Sequence, residues 1–466
     1  MHRSLAARTA LVAALALIAL GAHAAAASAA TLYVSTTGSD ARTYAQAQSI
    51  AMPLRTVTKA IQVALAGDVV RVRAGIYNTE PTTFQNVPVR AGYVTVTPYG
   101  SERAGIDRLT LANVSKLRLE GFVQDNIAGH WAFRNWSDLE FRRNTWRNHH
   151  AGNGAICLGP QSTADMAQPA GERAIIENNT FTDGANTNGI LGRISTSKPI
   201  RDVIIRNNLF GRLTAGDWIQ LQGNWHIATG LGAPLRNITI EKNTFRDVEY
   251  AAGGQHADSI QIIAPSDNVR ILNNRFERAR GLIVQRYSIS PPRGANRNFR
   301  LANNLSFDPP NAHLALLHNI PAGVIVGNTA WGEAVGINRD ITVRYSEGTT
   351  TTDQASLGVR MMNNVVRTLT VAGAVTFAEE HHNLLDNLVR SSSTFAPNAT
   401  DVTLPPTFVN PSAKSGQAGA GGTDYRLRAG SRGIDAGASG ALVPGTDIDY
   451  LPRAGSPDMG AHELQP

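Results

Sequence analysis

Apolar and polar positions alternate with a period of two along most of this chain. Runs such as Val203-Ile204-Ile205, Ile238-Thr239-Ile240 and Val269-Arg270-Ile271-Leu272 place every second side chain on one face, the pattern of a strand with one buried side. A short phrase closes each run: Arg143-Asn144-Thr145-Trp146, Asn178-Asn179-Thr180-Phe181, Asn207-Asn208-Leu209-Phe210, Lys242-Asn243-Thr244-Phe245, Asn273-Asn274-Arg275-Phe276 and Asn303-Asn304-Leu305-Ser306-Phe307, with weaker copies at Asn328 and Asn363-Asn364. The second asparagines are spaced by 35, 29, 35, 31, 30, 24 and 36 residues.

A strand, an Asn-rich bend, an aromatic residue, a second strand and a variable loop make one coil of a solenoid. A coil cannot bury its apolar face alone, so stacked neighbours share a continuous core. Coils rise by about 4.8 Å, the spacing of hydrogen-bonded strands, and like residues therefore stack in ladders. The asparagines are expected to form one, with amides bonded along the axis and the left-handed backbone of the bend tolerated. Helical and leucine-rich arrays keep a nearly constant unit length, which the irregular spacing contradicts. The expected fold is an all-β parallel β-helix over residues 31–395, with insertions at one loop position and an end segment, residues 396–466, packed on it.

Two stretches depart from the period of two. Leu54 to Leu65 puts Leu54, Val57, Ile61, Ala64 and Leu65 on one helical face, and Gly67 can stop the helix. This predicts an N-terminal capping helix over the open end of the core, with Val69-Val70-Arg71-Val72 beginning the first coil. Residues 1–30 combine Arg3 and Arg8, the apolar run Leu11 to Leu20, and small-residue sites at Ala22-His23-Ala24 and Ala27-Ser28-Ala29. That is the pattern of a cleavable signal peptide, and it implies a secreted or periplasmic protein.

Composition narrows the picture. The chain has 466 residues, too many for one ordinary compact domain. With 42% hydrophobic and 17% charged residues, wholesale disorder is excluded. A single cysteine excludes an intramolecular disulfide framework; Cys157, in Ala155-Ile156-Cys157-Leu158, reads as a small core residue. The net charge is +7, carried almost wholly by arginine, since only Lys59, Lys116, Lys198, Lys242 and Lys414 are lysines. Arginine pairs carboxylates bidentately, so an acidic polymer is a natural partner. Nucleic acid is not, because the arginines are scattered and form no recognised motif.

The ends carry a resemblance. Tyr33-Val34-Ser35 with Gly38-Ser39-Asp40, the helix, then Gly67-Asp68-Val69-Val70-Arg71-Val72 and Gly75-Ile76-Tyr77 resemble the opening of secreted right-handed parallel β-helix proteins of the pectate-lyase-like superfamily. Ser431-Arg432-Gly433-Ile434-Asp435-Ala436-Gly437, Asp447-Ile448-Asp449, Arg453 and Asp458-Met459-Gly460-Ala461-His462-Glu463 are similar to the end segment of many such bacterial proteins. The resemblance implies a right-handed helix and a superfamily of polysaccharide lyases, glycoside hydrolases, epimerases and plain surface proteins.

Aligning coils on the second strand sets Gly154-Ala155-Ile156-Cys157, Asn188-Gly189-Ile190-Leu191, Asp217-Trp218-Ile219-Gln220, Asp258-Ser259-Ile260-Gln261 and Gly281-Leu282-Ile283-Val284 in register. Asp217 and Asp258 then share a column on adjacent coils, as do Gln220 and Gln261, and the glutamines face outward. Stacked carboxylates repel, so a shared proton, a cation or an arginine must compensate. Arg193, Gln222, Ile263 and Arg286 fall two columns further out. His256 precedes Asp258 by two, His149 and His150 enter the same region, and insertions at Pro160 to Arg173, Gly223 to Leu235 and Ser288 to Arg297 could wall a groove. Trp218, Trp225 and Tyr287 are candidates to stack on sugar rings.

Gln255-His256-Ala257-Asp258-Ser259-Ile260-Gln261 resembles a His-x-Asp-x-x-Gln pattern of polysaccharide-acting β-helix enzymes. Three chemistries use this set. In a β-eliminating lyase the uronate carboxylate is neutralised and a base removes the C5 proton. Resemblance to pectate lyases implies Ca²⁺ on Asp217 and Asp258, Arg286 as base or carboxylate clamp, and His256 as alternative base. The chain departs from that pattern in having neither a third stacked aspartate nor a lysine beside the pair. In a glycoside hydrolase, Asp217 and Asp258 are the acid and the base or nucleophile; in a C5-epimerase the lyase residues return the proton to the opposite face. A non-catalytic glycan-binding surface protein is the structural alternative. The arginine-rich charge puts the lyase first, acting as a monomer on an acidic polysaccharide.

Overall fold

In the computed structural model, described residues are 29–126, 128–150, 154–160, 170–185, 187–195, 198–222, 235–248, 257–284, 295–307, 313–332, 341–344, 356–391, 395–411 and 424–465. The signal-peptide pattern thus lies almost entirely outside them. The strands stack in parallel, coil upon coil, into a right-handed parallel β-helix. One sheet runs from Thr31–Val34 through Val69–Val72, Trp136–Arg142, Ile200–Arg206 and Ser266–Leu272 to Val375–His381. A second holds the strands that follow the bends, such as Thr244–Val248, together with the later strands Gly216–Gln222 and Ala257–Ile263. The first coil opens at Thr31, whose strand pairs with Val69–Val72, earlier than the alternation after the helix implied.

The bends divide two tasks between neighbouring residues. The first residue of each bend takes the left-handed conformation: Asn178, Asn207, Asn273 and Asn303 do so, as do Arg143 and Lys242. The second is the rung of the ladder. Asn144 donates through Nδ2 to Asn179 Oδ1 at 3.1 Å, and the same bond repeats through Asn208, Asn243, Asn274, Asn304, Asn328 and Asn364 to Asn383. Each Oδ1 also accepts the preceding rung's backbone N–H. The rungs are buried, and burial is tolerable because the donors and acceptors pair.

Inside the bends Trp146, Phe181, Phe210, Phe245 and Phe276 stack nearly parallel, with centroids 4.6, 5.0, 4.7 and 5.1 Å apart in turn. The stack ends where Ser306 pairs with Phe276. Phe307 turns outward instead and stacks on Tyr425. With Leu305, Trp331 and Val365 it makes a second apolar cluster beneath Phe408, Leu427, Ile448 and Met459. Buried Arg453 ties this later segment down, donating to Asn303 Oδ1, Gly460 O and Glu463 Oε2. Asp447 accepts the N–H groups of Asp449, Leu451 and Glu463, so its carboxylate shapes a turn.

The cap is a short helix, Val57–Val63, with Thr56 as N-cap. Val57, Ala60 and Ile61 face the core, whereas Leu65, placed on that face by periodicity, is 51% exposed beyond the helix end. Arg90 Nε donates to Ala64 O at 2.9 Å, satisfying a carbonyl that the helix terminus leaves open.

Candidate functional site

The strand Gly216–Gln222 begins at a glycine with φ of +93°. A Cβ there would lie 2.0 Å from the Thr187 carbonyl, so the sharp entry requires glycine. Ile219 and Leu221 then point into the core, and Gln220 and Gln222 lie between them on the other face. The next coil matches in register: Asp217 with Asp258, Ile219 with Ile260, Gln220 with Gln261, Gln222 with Ile263. On the coil before, Leu191 pairs with Gln220 and Arg193 with Gln222.

The aspartates belong to a polar column that climbs the coils. Asp217 N donates to Asn188 Oδ1 at 2.9 Å, and Asp258 N donates to Asp217 Oδ1 at 3.1 Å. Gln220 Nε2 reaches both Asp217 Oδ2, at 2.6 Å, and Gln261 Oε1, at 2.7 Å. Asp258 is 0% exposed and faces Arg280, whose Nε lies 3.1 Å from its Oδ1 and whose side chain is 13% exposed. The compensation that stacked carboxylates demand is therefore an arginine with amide and backbone donors. A calcium cradle needs oxygen lone pairs turned to one centre; here both Asp217 oxygens accept N–H bonds and a guanidinium stands beside Asp258. These residues do not fit Ca²⁺.

Arg280 sits there because the register differs by one residue from the sequence alignment. Leu282, not Ile283, pairs with Ile260, and Ser259 N donates to Arg280 O. Leu282 and Ile283 are both apolar, so hydrophobicity alone cannot choose which faces inward. The pairing of Leu282 with Ala315 and the Gly281 N to His313 O bond put His313 on the following rung. Neither Arg280 nor His313 stands out in the sequence, whose alignment sets Gly281 in the aspartate column and Arg286 two columns beyond the glutamines.

Trp218 faces the core and not a sugar ring. It is 1% exposed and packs beside Phe181 and Phe210, with Nε1 bonded to Gly211 O at 2.8 Å. A buried indole with a satisfied N–H is core, not a platform for sugars. His149 is also buried, with Nδ1 2.8 Å from Thr187 Oγ1 and Nε2 3.2 Å from Gly129 O. Burial pushes it down to about 4, so it is a neutral ring that positions Thr187. His150 is exposed, with Nδ1 3.0 Å from Asn148 O. Arg193 is half-buried and its guanidinium is lowered by that burial. Cys157 is buried in a small cluster with Ala132 and Leu191, and burial pushes its thiol up to about 12, far from a thiolate nucleophile. His256, Arg286, Tyr287 and Trp225 lie outside the described residues.

No family model and no curated protein matches the sequence. Solved structures do match the fold. XylC in complex with xylose superimposes with a TM-score of 0.52 at 11% identity, over 93% of this chain and 98% of that one. The pectate lyase Pel9A follows at 0.42 and 14%, over 93% and 96%, and the PL6 family alginate lyase AlyGC at 0.46 and 12%, over 86% and 56%. Together with the stacked parallel strands, the match to XylC shows the fold: a right-handed parallel β-helix.

Proposed function

We propose that the chain is a secreted enzyme that cleaves an acidic, uronic-acid-containing polysaccharide by β-elimination without a metal. The observation that carries this reading is the Asp217, Asp258 and Arg280 column, in which an arginine stands where a cation would. β-Elimination needs the uronate carboxylate neutralised while C5 loses its proton and the C4–oxygen bond breaks, and fixed donors supply that stabilisation. Arg280 is the clamp, and buried Asp258 holds its guanidinium in place. A fully buried Asp258 is poorly placed to reach a glycosidic oxygen, which disfavours the paired-acid hydrolase. Gln220, whose Nε2 is bonded to Asp217 and Gln261, offers its Oε1 to a hydroxyl group, and Gln261, 2% exposed, braces it from the next coil. His256 and Arg286 keep the candidate role of base. The match to XylC, solved with xylose, agrees with a sugar substrate.

The test is ultraviolet absorbance of the purified protein with a panel of uronic-acid polysaccharides, with reducing ends counted in parallel. Rising absorbance reports the unsaturated product and is expected to survive a chelator and to fall sharply in Arg280→Lys. Loss on chelation would return Asp217 and Asp258 to calcium. Reducing ends without absorbance would make the protein a hydrolase, inverted C5 without cleavage an epimerase, and silence across the panel a glycan-binding protein.

A further inference from the structure

A second groove lies on the other sheet, away from the aspartate column. It has a volume of about 590 Å³ and is bordered by Ser115, Trp136, Glu172, Lys198, Arg201 and Arg236 among others, within the size range of built ligand sites. Its floor follows the register of the coils. Ser115 pairs with Ser137, Ser137 with Glu172, Glu172 with Arg201 and Arg201 with Arg236. At about 4.8 Å per coil, these rungs give a polar track roughly 19 Å long, parallel to the axis, as an extended chain would need.

The lining is chemically mixed in one particular way. Asn135 Nδ2 bonds to Asn113 Oδ1 and Asn113 to Asn86, so a row of amides edges the groove. Trp136 is buried in the main apolar core, and its ring lies against Gly171, where a Cβ would come within 2.3 Å. Glu172 is occupied by Arg201 and Arg173. Lys198 and Arg236 are exposed and make no ion pair among the described residues. The surplus charge at the rim is positive.

We infer that this groove is a second, non-catalytic binding site for an anionic oligosaccharide, with hydroxyl groups on the serine and asparagine row and carboxylates at Lys198 and Arg236. It is independent of the catalytic reading, because binding here requires no chemistry at the aspartate column. The test is titration calorimetry of the full chain with tetramers of galacturonate, mannuronate and guluronate, and with xylotetraose as the neutral control. Binding of an acidic tetramer is expected in the wild type and in Asp217→Asn. The Lys198→Ala/Arg236→Ala double variant, at exposed positions and checked for an unchanged melting temperature, should bind at least tenfold more weakly. It should keep the wild-type rate on any short substrate that the chain turns over. Equal affinity in the double variant, loss of binding in Asp217→Asn alone, equal affinity for xylotetraose, or no binding of any acidic tetramer would each overturn the inference.

Discussion

At the scale of single residues, the aspartate column is governed by burial. Asp258 is fully buried with Arg280 beside it, and removing one partner of a buried ion pair typically costs about 3–5 kcal/mol, because the other charge is left uncompensated. Arg280→Ala should lose stability of that order in urea unfolding. Adding Asp258→Asn should recover much of the loss, and strict additivity in the double variant would count against the pair. His149 sets a pH dependence of known sign. Its folded value, about 4, lies below the ordinary histidine value of 6.5, so the unfolded chain takes up the proton first. Stability should fall as pH drops from 6.5 toward 4, by up to roughly 3 kcal/mol, and His149→Gln should flatten that limb of a pH series of thermal unfolding. The sequence brought Asp217, Asp258 and the two glutamines to attention through pattern alone. It could not show that Trp218 turns inward, since an indole at a corner suits either side, nor decide between Leu282 and Ile283, which turned on pairing with the next coil.

At the scale of the repeating element, the asparagine bend does more than alternation can. Asn243 donates to Ile205 O and Asn274 Oδ1 and accepts from both the backbone N and the Nδ2 of Asn208. Asn243→Ala would orphan several buried groups at once, and each unsatisfied group costs about 1–3 kcal/mol. A loss of roughly 3 kcal/mol or more is expected in denaturant melts; a change below 1 kcal/mol would mean that water or a shifted backbone replaces the rung. The repeated phrase made the ladder legible. The split of labour within each pair was not, because Asn suits both a left-handed backbone and a stacked amide. Arg143 and Lys242 show that only the second position demands the amide.

At the scale of the whole molecule, the end of the aromatic stack and the docking of the later segment are one event. Ser306 leaves the stack, and Phe307 joins Trp331 in a patch that Tyr425 and Phe408 cover. Arg453 fastens that cover from a buried position. Arg453→Ala should loosen residues 424–465, seen as faster proteolysis there and dye binding to the uncovered aromatics while the coils keep their strand content. Unchanged proteolysis would show that apolar packing alone suffices. The coil architecture was readable because a repeat multiplies a weak signal. The one-residue phase change at Leu305-Ser306-Phe307 was not, since one copy of a phrase cannot reveal which way its aromatic faces.

The asparagine ladder also has a polarity. Every Nδ2 donates toward the later coil, so the amide dipoles from Asn144 to Asn383 add head to tail along the axis, as peptide dipoles do in a helix. The row's positive end is Asn383, and there the chain supplies two carboxyl groups: Nδ2 meets Glu380 Oε1 at 2.9 Å and the backbone N meets Asp401 Oδ1 at 2.7 Å. The two acids crowd each other, and burial with the Asp401 charge pushes Glu380 up to about 8. The β-helix thus ends electrically as well as sterically, in an acid pair that terminates an aligned wire of neutral amides.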